Sequence, residues 1–96
     1  MDIRPARKAI DKLDEKIVRL LSRRMRLSLH VAKLKGDAGL PARDASREAF
    51  ILARASRLAV SPLPGKAAAL VLKKVLEVSR AATKAAIKRS KHEKRA

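Results

Sequence analysis

Apolar residues recur along the first third of this chain in one unbroken rhythm, which limits the fold more than any other feature. Ala6, Ile10, Leu13, Ile17, Leu20, Leu27, Val31 and Leu34 lie on a series whose steps alternate between four and three. This is the stripe of a helix packed along most of its length. Position 24 belongs to the same series, and it holds Arg24. A guanidinium does not lose its proton at any ordinary pH, so on a packed stripe it needs an anion.

The first helix is predicted to start near Pro5, with Asp2 or Ile3 just outside, and to run to about Lys35, where Gly36 offers a stop. Thirty-odd residues at about 1.5 Å each give roughly 45 Å. A compact domain of this size has a radius of gyration of only about 12–13 Å. The helix must therefore project from its own globule, with its stripe exposed unless another chain covers it. A homodimer with antiparallel long helices is the expected solution.

Residues 36 to 43, "GDAGLPAR", read as a loop. Asp44 can cap a second helix that runs to about Ala59 and turns Glu48, Ile51, Ala55 and Leu58 inward. "VSPLPG" breaks the chain again, and a third helix is expected from about Pro64 to Lys88. Its inner row is Leu72, Leu76, Ser79, Thr83 and Ala86. The fold class is thus all-α, with three helices per chain. Residues 1–88 form one helical domain, and residues 89–96 form a basic tail expected to be disordered and dispensable.

Composition narrows the function classes. The chain has no cysteine, and His30 and His92 are too far apart in sequence for a convincing metal cluster. No apolar run approaches the ~20 residues of a membrane span, and the N-terminus lacks the apolar segment of a signal peptide, so a cytoplasmic protein is expected. The formal charge of +16 suits a nucleic acid, an acidic membrane or an anionic small substrate. A single aromatic, Phe50, argues against stacking on single-stranded bases.

Each helix interrupts its apolar row with polar groups: Arg24 in the first, Glu48 in the second, Ser79 and Thr83 in the third. Lys35 follows Arg24 by eleven residues, about 20° around the helix and roughly 16 Å along it. Two long cations leaning across that gap could hold both ends of a small dianion. Arg7 lies about 25 Å from Arg24 along the helix, so it could serve such a site only from an antiparallel partner. Plainer roles exist for each residue alone. Arg24 could pair with Glu48, and Lys35 could simply favour the helix dipole. Ser79 and Thr83 could bond to backbone carbonyls, Asp44 is an N-cap in any case, and His30 reads as a surface residue. The functional case rests on their conjunction.

In order, Arg7, "IDKLDEKIVRLLSRRM", "VAKLKG", "GLPARDASRE" and Ser79 resemble the all-helical chorismate mutases over about residues 3 to 84. The resemblance implies an intertwined homodimer of three-helix chains with two sites, each borrowing an arginine from the other chain. It casts Arg7 as that donated arginine, and Arg24 and Lys35 as the grip on the carboxylates and ether region. Asp44, Arg47 and Glu48 match the binding loop and the start of helix two, with Glu48 meeting the ring hydroxyl. Ser79 matches a polar residue near that hydroxyl or the ring carboxylate. Thr83 departs from the pattern, which has a glutamine or glutamate donating to the ether oxygen. Arg80 departs too, replacing an apolar residue, and its long side chain could supply a donor instead. Lys35 is expected to carry more of the ether-oxygen charge than usual.

The implied reaction turns chorismate into prephenate, in aromatic amino-acid biosynthesis. It is an intramolecular rearrangement in which a C–O bond breaks as a C–C bond forms. It asks for no nucleophile, metal or cofactor, only a folded dianion and stabilised charge on the ether oxygen. Arginine suits carboxylates because its fork pairs bidentately. Isochorismate pyruvate-lyase and aminodeoxychorismate mutase are alternatives on the same fold. A basic helical nucleic-acid-binding protein is the rival from another class, and it leaves Glu48, Ser79 and the inward cations unexplained.

Overall fold

The computed structural model describes residues 1–95, with side chains described through Arg89. Three helices follow one another: α1 (Arg4–Asp37), α2 (Ala45–Leu58) and α3 (Gly65–Arg95). Among the described residues there is no strand, so the expected all-α architecture holds. α3 packs against both other helices, whereas α1 and α2 do not approach one another backbone to backbone among the described residues.

The start of α1 follows its sequence signals. Pro5 lies in the first turn, Ile3 is the N-cap, and Asp2 Oδ1 accepts from the Arg4 N–H at 3.0 Å. Its end differs from expectation, because Gly36 is inside the helix and the stop is at Gly39. There φ is +71°, the left-handed region that glycine enters without strain. Leu40 N–H bonds Lys35 O at 2.8 Å and Gly39 N–H bonds Gly36 O at 3.2 Å, the paired bonds of a Schellman motif. α2 begins as its sequence implies, with Asp44 Oδ1 accepting the Arg47 N–H at 3.0 Å. α3 continues to Arg95, past the expected end near Lys88. The side chains of residues 90–96, most of the basic tail, lie outside the described residues.

α3 enters against α2 through Gly65. A Cβ there would stand 2.6 Å from Ser56 Oγ and 2.8 Å from Ser56 O, so the approach admits only glycine. On α3 the expected inner row is covered: Leu76 and Ser79 are buried, and Leu72, Thr83 and Ala86 are partly so. On α2, Glu48, Ile51 and Ala55 turn inward as expected, but Leu58 is 65% exposed because the helix ends there and the chain departs.

The buried core is very small: Ala68, Leu76 and Ser79 among the described residues. α1 contributes no buried residue, and Ile10, Leu13, Ile17, Leu20, Leu27, Val31 and Leu34 are all exposed along it. The radius of gyration is 17.2 Å, well above the 12–13 Å or so of a compact chain of this length, and the longest dimension is 62 Å. A single chain leaves the stripe of α1 in water.

Candidate active site

Where α1 crosses the other helices, a cavity of about 350 Å³ opens between all three. α1 supplies Arg24, Ser28 and Lys35, the loop and α2 supply Asp44, Arg47 and Glu48, and α3 supplies Ser79, Arg80 and Thr83. Leu27, Val31, Ile51 and Leu76 form apolar walls between them. Eight of the nine residues singled out from sequence therefore face one space: Arg24, Lys35, Asp44, Arg47, Glu48, Ser79, Arg80 and Thr83. Arg7 does not line it, as its distance along α1 requires.

Local geometry explains how each polar group is held. Arg24 projects from the middle of α1, and its Nη1 donates to the buried Ser79 Oγ at 3.3 Å. The alternative pairing of Arg24 with Glu48 does not form. Glu48 turns to other arginines: Arg80 Nη1 donates to both its oxygens at 2.9 Å, and Arg43 Nε lies 3.5 Å from Oε1. Among the described residues, Arg24 has no carboxylate partner, so its charge remains available to an anion.

Lys35 is placed by the motif that ends α1. The chain reverses at Gly39, and Lys35 Nζ then reaches the Ala42 carbonyl at 3.4 Å. Asp44 directs its carboxylate at the N-cap of α2, where Oδ1 accepts from the Arg47 N–H. Arg47 stands with its guanidinium carbon 5.2 Å from the centre of the Phe50 ring, a cation–π contact that leaves its hydrogen bonds to a ligand open. Thr83 Oγ1 donates to Arg80 O at 3.1 Å, within its own helix.

Arg43 escaped the sequence reading. It directly precedes the Asp44 cap, and its proximity to an inward acid was the available signal. The lining counts four cations, Arg24, Lys35, Arg47 and Arg80, against two carboxylates, Asp44 and Glu48. Both carboxylates already have partners. The cavity is thus built for an anion. Among the described residues, no group of His, Cys, Asp and Glu could hold a metal ion, and no helix is long and apolar enough to cross a membrane.

Comparison with known proteins points the same way. The family model for chorismate mutase type II matches residues 6–84. The chain is 40% identical over 52 residues to the chorismate mutase of Methanocaldococcus jannaschii, covering 54% of this chain and 52% of that protein. It is 37% identical over 57 residues to the bifunctional chorismate mutase/prephenate dehydratase of Aquifex aeolicus, covering 59% of this chain and 16% of that protein. These alignments span about half, or less, of the relatives' own lengths. Two solved structures of chorismate mutase from Thermus thermophilus superpose more completely. Form II gives a TM-score of 0.82 at 30% identity, covering 85% of this chain and 93% of that one. Form I gives 0.77 at 32% identity, covering 80% and 96%. With the family model spanning residues 6–84 and the fold shared with a solved chorismate mutase, the chain belongs to the chorismate mutase type II family.

Proposed function

We propose that this chain is an isomerase that converts chorismate to prephenate, in aromatic amino-acid biosynthesis. One observation carries the reading: in a three-helix cavity, Arg24 and Lys35 project from one helix with no carboxylate partner among the described residues. Such a pair fits a substrate with two carboxylates. The rearrangement is unimolecular, so its barrier falls when the substrate is held folded and the charge growing on the ether oxygen meets a fixed donor.

In this reading Arg24 and Lys35 grip the carboxylates and the ether region, and Glu48 accepts from the ring hydroxyl. Asp44 and Arg47 hold the loop side of the substrate, while Ser79 and Arg80 bind it from α3. Thr83 stands near the ether oxygen. Arg7 reaches the site of the partner chain in an antiparallel homodimer. Support for the dimer is the half-exposed stripe of Ile10, Leu13 and Ile17, which a second α1 would cover. The positive charge would draw the dianion in, an effect that salt weakens.

The test is to follow loss of chorismate while assaying prephenate separately, with isochorismate and aminodeoxychorismate offered in parallel. Prephenate from chorismate supports the proposal. Pyruvate and salicylate from isochorismate, with chorismate untouched, replaces it with a lyase.

A further inference from the structure

The α3 wall of the cavity carries a cation held by a carboxylate from another helix. Arg80 Nη1 serves both oxygens of Glu48 at 2.9 Å, and Arg43 Nε adds a second contact at 3.5 Å. Two guanidiniums around one carboxylate leave the cluster with a net positive charge. Among the described residues, Nε and Nη2 of Arg80 make no hydrogen bond to protein, and its side chain is 42% exposed beside the cavity. Thr83, three residues on, directs its hydroxyl to the Arg80 carbonyl at 3.1 Å. A hydroxyl has one proton, so while that bond stands Thr83 donates nothing to a ligand.

From this geometry we infer that Arg80, fixed by Glu48, is the α3 donor to the oxygen that gains charge in the reaction, in place of Thr83. The inference rests on the mutase reading above. A bond already made to Glu48 fixes the guanidinium before substrate arrives, and its remaining N–H groups can then point at the oxygen without reorganisation. A cationic donor also strengthens as negative charge develops, more than a neutral hydroxyl would. Glu48 becomes a positioning residue for Arg80 as well as an acceptor.

The experiment compares the unmodified chain with Arg80→Met, Arg80→Lys and Arg80→Met/Thr83→Gln, each checked for helicity and thermal unfolding. The unmodified chain is assayed first: if it makes no prephenate, the mutase reading itself fails and the inference falls with it. If it is active, Arg80→Met should lower kcat about 100-fold or more, as expected for loss of one preorganised donor, with a smaller change in KM. Arg80→Lys should retain more activity than Arg80→Met. Adding Thr83→Gln should restore at least tenfold of the loss, because an amide from position 83 reaches where the hydroxyl does not. A folded Arg80→Met chain with kcat within threefold of the unmodified value overturns the inference alone. So does a loss that Thr83→Gln leaves unrepaired. Should Arg80→Met fail to fold, Arg80→Gln, which keeps a polar side chain but loses the charge and the reach, is judged by the same thresholds.

Discussion

At the scale of single residues, the site works by leaving some cations unneutralised and tying others down. Among the described residues Lys35 is tethered only to the Ala42 carbonyl, a neutral partner that a substrate oxygen can displace or share. Lys35→Ala is therefore expected to lower kcat/KM by two orders of magnitude or more, in line with the ~3 kcal/mol typical of one preorganised donor. Thr83 is the contrasting case. Its hydroxyl is engaged with Arg80 O, so Thr83→Gln should leave mutase activity intact or raise it. Steady-state kinetics on both folded variants check the pair. A folded Thr83→Gln chain with no activity would mean the site is built around threonine, and the choice of substrate would have to be reopened. Periodicity in the sequence picks out Arg24, Glu48, Ser79 and Thr83 as inward-facing, and the family resemblance adds Asp44, Arg47 and Arg80, all of which line the cavity. Neither discloses who pairs with whom. The Arg80–Glu48 contact spans 32 positions in sequence, and its partners are chosen by how α2 and α3 pack.

At the scale of elements, capping chemistry decides where the cavity's walls stop. Asp44 announces α2 because its carboxylate fits the first free N–H groups, and it does so at the expected place. The end of α1 was harder to read, since Gly36 and Gly39 both lie near it and only backbone geometry chooses between them. The hydrogen bonds into Lys35 and Gly36 carbonyls select Gly39, which moves the helix end beyond Lys35 and sets the lysine over the loop. The close approach at Gly65 was invisible in sequence, because it depends on Ser56 in another helix. Gly65→Ala should lower stability by roughly 1–3 kcal/mol, the usual cost of forcing extra volume into a tight contact. Thermal or urea unfolding measures it. A variant as stable as the parent would show that the α2–α3 junction yields without strain.

At the scale of the whole molecule, a 62 Å chain buries three residues among those described and leaves the apolar stripe of α1 uncovered. Covering one large aliphatic side chain contributes about 1.5–3 kcal/mol, so the α1 stripe holds ample driving force for a partner helix. The basic tail has no such stripe. Deleting residues 89–96 is expected to leave kcat nearly unchanged and to alter only the salt dependence of kcat/KM; a large loss of kcat would place the tail over the site. The dimer has a sharper test. If each site takes Arg24 from one chain and Arg7 from the other, Arg7→Ala and Arg24→Ala homodimers each lack one arginine in both sites. Mixed and allowed to exchange, they form heterodimers in which one site carries both lesions and the other carries none. With random pairing half the dimers are mixed and half of their sites are intact, so activity should rise to about a quarter of the unmodified level. Sedimentation and labelled-chain exchange establish that mixing occurred. No recovery after verified exchange would confine Arg7 to a role outside the partner's site, and a monomer with full activity would remove the shared site altogether.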